Sequence, residues 1–315
     1  MPPPTPRKVI IDCDPGIDDA AALAMALFDP RLEVVAVTAV GGGVPPDVAT
    51  ANVQSVVALL DPPRLPRLGA AADQVPATPP HALHGADGLG GADLPRVQLH
   101  GGHQAEKVIW ESIRAHPREV TIVCLGPLTN VARVFKRDPS VVELVAGLVV
   151  SGGTVHASGN ASAVADANFY ADPQAARHVI REPVAKTLVP LETSSQVLLG
   201  FEILEQLPRE FTRAGRLLRR MLPHAFRAHR QILGSEGIWL HDAVSLVAVT
   251  NPGLFERTSV VADVETTGEL TAGMLVVDRR QTRQERPNCE LLVGCDAAAV
   301  TDCILRGFAA AAAAT

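Results

Sequence analysis

Val9-Ile10-Ile11-Asp12-Cys13-Asp14-Pro15-Gly16-Ile17-Asp18-Asp19-Ala20 is the stretch on which the fold turns. The β-branched residues before Asp12 read as a buried strand, and the apolar run from Ala20 to Phe28 reads as a helix. Pro15-Gly16 turns one into the other, so four carboxylates fall between the carboxyl end of a strand and a helix amino terminus. Open α/β sheets bind ligands at that end. Like charges packed this closely either push pKa values upward or recruit a cation. Hard oxygen ligands favour calcium or magnesium over zinc. A plainer alternative gives Asp18 and Asp19 to the helix dipole and Asp12 to a turn cap. Two acids would suit that alternative; four exceed it.

Outward from this motif, strand-like and helix-like segments alternate over the first two thirds of the chain. Strands are expected at 33–38, 65–68, 120–124, 144–150 and 184–188, with helices at 47–60, 104–116, 128–135 and 173–180. This rhythm predicts an α/β fold, an open and mainly parallel sheet flanked by helices in the Rossmann manner. The final third is more mixed, with helices near 201–207, 213–234 and 243–249, strands near 259–264, 274–277 and 290–293, and a last helix over 297–314. No Ser/Pro linker interrupts the pattern, so residues 1–315 are expected to form a single domain, with 1–6 and 310–315 as disordered tails. The Pro-, Gly- and His-rich stretch 72–99 has no regular pattern, and connections of that length are uncommon unless functional.

Composition narrows the function. Of 315 residues, 47% are apolar, ample for a large core, but only 3% are aromatic, so stacking platforms for nucleic acid are scarce. A net charge of −6 without a basic tract argues further against nucleic acid as a partner. No run approaches the roughly 18 apolar residues of a membrane span, and the first residues lack a secretory h-region. The five cysteines are scattered and form no Cys-x-x-Cys pair, which favours reduced thiols and a cytoplasmic setting over disulfides or zinc.

Further candidate groups follow other expected strands. Gly41-Gly42-Gly43 would let backbone approach a ligand closely, or would simply make a flexible turn. In Leu125-Gly126-Pro127-Leu128-Thr129-Asn130 a main-chain carbonyl is available to a hard cation. Ser151-Gly152-Gly153, Gly159-Asn160 and Asp166-Ala167-Asn168 place short polar side chains in a Gly-rich loop, suited to sugar hydroxyls and equally to turns. His241-Asp242 directly precedes an apolar helix, where Asp242 is either a cap or a metal ligand and His241 a candidate general acid.

Taken in order along the chain, these residues resemble the inosine–uridine nucleoside hydrolase family, and the resemblance spans essentially the whole sequence. It implies a calcium-dependent hydrolase that cleaves the N-glycosidic bond of ribonucleosides, modified ones included, to base and ribose. Carried over residue by residue, Asp14 matches the acid that contacts calcium and takes the proton of the attacking water. Asp19 matches the principal calcium ligand, and the Leu125 carbonyl and Asp242 complete the protein part of the shell. Asp18, Asn160, Asp166 and Asn168 match ribose contacts, Asp12 supports the cluster, and His84 lies over the base pocket. His241 matches the histidine that protonates the leaving group. The resemblance also implies a nucleoside or ribose as the small-molecule partner and a homodimer or homotetramer.

The chemistry suits these assignments. Breaking an N-glycosidic bond builds positive charge on the sugar, which nearby carboxylates stabilise, while a general acid eases departure of the base. Three positions depart from the family pattern: Gly43 where Asn is usual, Asp166 where Glu is usual and Ser151 where Met is usual. They keep open an alternative, a catalytically weakened homologue that binds calcium and a ribose-containing ligand. An aspartate phosphatase built on Asp12-x-Asp14 fits poorly, because Pro15-Gly16 and the Asp18-Asp19 pair do not suit a nucleophile loop awaiting phosphate.

Overall fold

The computed structural model describes residues 5–72, 82–97, 102–282 and 285–314. Strand β1 (Arg7–Cys13) leads through Pro15-Gly16 into helix α1 (Ile17–Ala26), as the opening motif predicts. Side chains of β1 alternate between faces: Val9, Ile11 and Cys13 enter one core, while Ile10 enters the other. Then follow β2 (Leu32–Ala39), α2 (Pro46–Leu60), β3 (Arg67–Gly69), α3 (Ala105–Ala115), β4 (Val120–Cys124), α4 (Thr129–Arg137) and β5 (Gly147–Ser151). The middle of the chain adds α5 (Ala167–Ala171), α6 (Pro173–Arg181), β6 (Lys186–Val189), α7 (Leu191–Ser194) and α8 (Ile203–Gln206). The last third contributes α9 (Arg213–Ala228), α10 (His241–Thr250), β7 (Phe255–Val264), β8 (Leu275–Asp278), β9 (Cys289–Cys295) and α11 (Ala297–Ala313).

The nine strands form one sheet in the order β3-β2-β1-β4-β5-β6-β9-β7-β8. All pairs from β3 through β9 are parallel, and β7 runs antiparallel to both of its neighbours. This is the open, mainly parallel α/β sheet expected, with an antiparallel edge. Strand order reverses between β1 and β4, and a crevice opens outside the carboxyl ends of strands at such a point. Helices α1, α2, α9, α10 and α11 bury their apolar faces on one side of the sheet, and α3, α4 and α6 on the other.

Several boundaries differ from the expectations. The strand expected from 144 starts at Gly147, because Asp138 accepts from Ser140 N at 3.2 Å and Pro139 opens a 3₁₀ turn, Pro139–Leu144. The helix expected over 213–234 ends at Ala228 and passes into a π-helical turn, His229–Leu233, which Gly234 stops at φ 67°. The expected disordered tail over 310–315 is corrected: α11 continues to Ala313 and buries Ile304, Phe308 and Ala311 in the core. Alanine has the highest helix propensity, and that packing holds the last turns. Of the other expected tail, 1–6, Thr5 and Pro6 are exposed and precede β1, and residues 1–4 lie outside the described ones. Over 82–97, the described part of the long connection, there is neither helix nor strand. No helix among the described residues is long and apolar enough to cross a membrane.

Candidate active site

The carboxyl ends of β1, β4, β5 and β6 open on one cavity of about 490 Å³, in the size range of small-ligand pockets. Its floor is acidic. Asp18, Asp19 and Asp242 each offer an oxygen, and the three oxygens lie within 4.8 Å of one another. Asp18 and Asp19 come from the first turn of α1, and Asp242 from the first turn of α10. Of the two alternatives for Asp242, the cap is not found, since Leu240 occupies the cap position.

Asp19 divides its two oxygens. Oδ2 accepts from Gly16 N at 2.9 Å, closing the turn into α1, while Oδ1 is buried with no hydrogen-bond partner. Burial first, and then the charges of Asp14 and Asp18, hold its carboxyl well above the usual range. Asp242 is raised in the same way, by burial and then by Asp19, with the Ser151 hydroxyl pulling the other way. A buried carboxylate oxygen with no hydrogen-bond partner, on an acid grouped with two further carboxylates, is a costly arrangement that a hard cation relieves. The donor set therefore fits a metal ion.

Asp14 stands beside this trio but is held from the other side. Gly43 N donates to its Oδ2 at 2.6 Å, and burial, then the charge of Asp18, lift its carboxyl to about 7 against that bond. A Cβ on Gly42 would overlap Oδ2, and one on Gly126 would stand 2.5 Å from Oδ1. The close approach allowed by the glycine run is thus made to Asp14 itself. Beneath it, Asp12 accepts from Thr38 Oγ1 at 2.6 Å and from Asn130 Nδ2 at 2.8 Å, and burial raises its carboxyl to about 7.

The residues expected at the sugar gather on the same cavity, each with a local task. Asp166 caps α5: its Oδ1 accepts from Gly153 N at 2.7 Å and its Oδ2 from Asn168 N at 3.0 Å. Burial lifts its carboxyl to about 6 despite those bonds. Asn160 Oδ1 accepts from Ala167 N at 2.8 Å. Asn168 Nδ2 bridges two carbonyls, Leu125 at 2.7 Å and Ser151 at 2.9 Å, so the expected carbonyl ligand is already engaged from one side. His84 sits on the amino terminus of α1, its Nδ1 accepting from Ile17 N at 3.2 Å and its Nε2 3.8 Å from Asp18. Burial lowers its pKa, and Asp18 opposes that shift. Gly16 lies directly below it, where a Cβ would crowd the imidazole at 3.0 Å. His81, on the same connection, lies outside the described residues.

His241 opens α10 across the cavity, and its Nδ1 lies 2.8 Å from Ser194 Oγ. Sequence reasoning missed Ser194, and it reached His229 and Trp239, which also line the cavity, only as members of the stretch 222–240 in which base-facing positions are expected. Their signals were present: Ser194 follows the carboxyl end of a parallel strand, and Trp239, one of two tryptophans in the chain, is two residues from His241. All five cysteines are free, and Cys13 is wholly buried, its thiol 3.7 Å from the Thr38 carbonyl.

The likeness to known proteins agrees with this geometry. A family model described as inosine-uridine preferring nucleoside hydrolase matches residues 9–302. Uridine nucleosidase 1 of Arabidopsis thaliana is 34% identical over 286 residues, which cover 90% of this chain and 85% of that protein. The inosine-uridine preferring nucleoside hydrolase of Leishmania major is 30% identical over 296 residues, covering 92% and 94% respectively. A solved structure of a plant nucleoside hydrolase, the PpNRh1 enzyme, superposes with a TM-score of 0.89 at 28% identity and covers 96% of this chain and 99% of its own.

Proposed function

Since the chain belongs to the inosine-uridine preferring nucleoside hydrolase family, we propose that it hydrolyses the N-glycosidic bond of ribonucleosides with calcium as its metal, uridine and inosine being the first substrates to test. The observation that carries this reading is the meeting of Asp18, Asp19 and Asp242 with Asp14 and His241 on one cavity.

Asp19 and Asp242 would hold the metal, with Asp14 and the Leu125 carbonyl beside them; such an oxygen-only donor set suits a hard cation such as calcium. When bound, the ion supplies positive charge that offsets the paired carboxylates and acidifies water in the cleft. Asp14 is the group that takes the proton of the attacking water. Its carboxyl, held by the Gly43 N–H and placed between two glycines, is aimed rather than free to rotate. Asp18, Asn160 and Asn168 grip the ribose hydroxyls, and the acids together stabilise the positive charge that builds on the sugar. His241 protonates the departing base, and His84, fixed by Ile17 N, closes the base side of the cavity. The weakened binder gains nothing from this geometry, because both the acids and the histidine face one space.

The test is release of free ribose from uridine and inosine, measured as reducing sugar in calcium buffer without phosphate. Asp14→Asn and His241→Ala should each lower kcat on uridine by about 100-fold or more, the usual worth of a general base or acid. No ribose release from a panel of ribonucleosides by the calcium-loaded protein would overturn the reading.

A further inference from the structure

We propose that Ser194 is a positioning residue for His241, its hydroxyl fixing the ring so that Nε2 is the nitrogen that hands a proton to the departing base; this rests on the leaving-group role given to His241 above. Ser194 is 3% exposed, and its Oγ lies 2.8 Å from His241 Nδ1. The same oxygen is 3.2 Å from the Leu191 carbonyl and 3.4 Å from that of Pro190. A serine hydroxyl has one proton to give and lone pairs to accept with. Turned back toward a carbonyl three or four residues earlier, as helical serines commonly are, it gives that proton to Leu191 or Pro190 and accepts from Nδ1–H of His241.

That choice decides the tautomer. A ring whose Nδ1–H is already held by Ser194 must use Nε2 for proton transfer. In the step, the proton on Nε2 goes to the base and the electron pair of the C1′–N bond leaves with it. Water adds its oxygen to C1′ and gives its own proton to Asp14. His241 is then neutral with the hydrogen on Nδ1, the form that Ser194 accepts. The opposite arrangement, with the serine donating to Nδ1, favours a neutral ring protonated on Nε2, which is not the form left by that transfer.

The segments carrying the two residues are joined independently of this bond. Trp239 Nε1 donates to the Ser195 carbonyl at 3.0 Å, and Leu199 and Ile238 exchange two main-chain bonds of 3.0 Å. Thr193 Oγ1 donates to the Leu292 carbonyl at 2.7 Å. Removing the hydroxyl therefore takes this hydrogen bond from the imidazole without releasing its surroundings.

The experiment compares Ser194→Ala, Ser194→Thr and His241→Ala on uridine and on a nitrophenyl riboside, whose leaving group departs without a proton. Ser194→Ala should lower kcat on uridine about tenfold, a part of the 100-fold or more that removal of a general acid costs. The nitrophenyl substrate should stay within about twofold, because a displaced acid does not matter to it. Ser194→Thr should restore uridine turnover, and Ser194→Ala added to His241→Ala should cost nothing more. Nitrogen NMR should find the neutral ring protonated at Nδ1 in the unmodified protein and mixed in Ser194→Ala. Equal losses on both substrates, no loss on uridine, or an additive double variant would overturn the role of Ser194. If His241→Ala itself leaves uridine turnover intact, the leaving-group assignment fails instead.

Discussion

Gly42 and Asp14 are packed so that a methyl group on the glycine would overlap the carboxylate oxygen Oδ2. The same methyl group would stand 2.8 Å from Pro127 Cδ, so a change at Gly42 presses on the acid first and on that proline second. Gly42→Ala should turn Asp14 away from its bond to Gly43 N and lower kcat on uridine by about tenfold or more, some 1.4 kcal/mol in the barrier. Gly102→Ala, at a position with nothing within 4 Å of the added carbon, is the control and should leave turnover unchanged. Equal activity of the two variants would show that the packing around Asp14 is slack.

Asp166 bears on the departure from the family pattern. Glu is usual there, yet both oxygens of Asp166 already serve main-chain donors at the start of α5. Asp166→Glu should therefore lower stability, by about 1 kcal/mol as for other lost helix caps, rather than raise activity. Denaturant titration of the two proteins measures it. A variant as stable as the original and faster on uridine would contradict this.

Metal removal gives a third expectation. The calcium-loaded protein should contain one calcium per chain by elemental analysis, and dialysis against chelator should lower its Tm. Asp19→Ala should abolish that metal content, since it removes the buried unpartnered Oδ1. Cys13→Ala should keep it, because the thiol points to the Thr38 carbonyl and serves packing. Zinc in place of calcium would contradict the oxygen-only donor set.

Stability of the metal-free protein should depend on pH with a definite sign. Asp12 and Asp14 have folded pKa values of about 7, raised by burial above the ordinary carboxylate value of 3.8, and Asp166 about 6. A raised acid favours the folded state below its unfolded pKa, and that contribution disappears as the pH climbs through the folded value. Metal-free Tm should thus fall between about pH 4 and pH 7, where the unfolded chain has lost these protons and the folded one still holds them, and the gain from calcium should grow over the same window. A chelated protein whose Tm rises across that window would contradict it.

Much of this was legible in the chain because the informative residues are neighbours in sequence. The run from Val9 to Ala20 carries its own strand, turn and helix start, and regular alternation announced the parallel sheet. Short elements were not legible: α5 depends on the Asp166 cap and α7 on the end of β6, and neither has enough turns to show a period. The tail was misread because composition suggested fraying, whereas Phe308 and Ala311 are packed into the core.

By itself the sequence determined the fold class and the family and named the candidate acids, since each follows from local pattern. Only the tertiary structure decided which of them meet. Asp242 joins Asp18 and Asp19 from more than 200 residues away because α10 and α1 pack side by side on the same face of the sheet. His241 finds Ser194 across 47 residues where the chain leaves β6. Asp14 turns toward Gly42, Gly43 and Gly126, loops that follow two other strands. These pairings are set by which strand ends and helix starts the sheet topology brings to one cavity, a long-range property that no window of sequence contains.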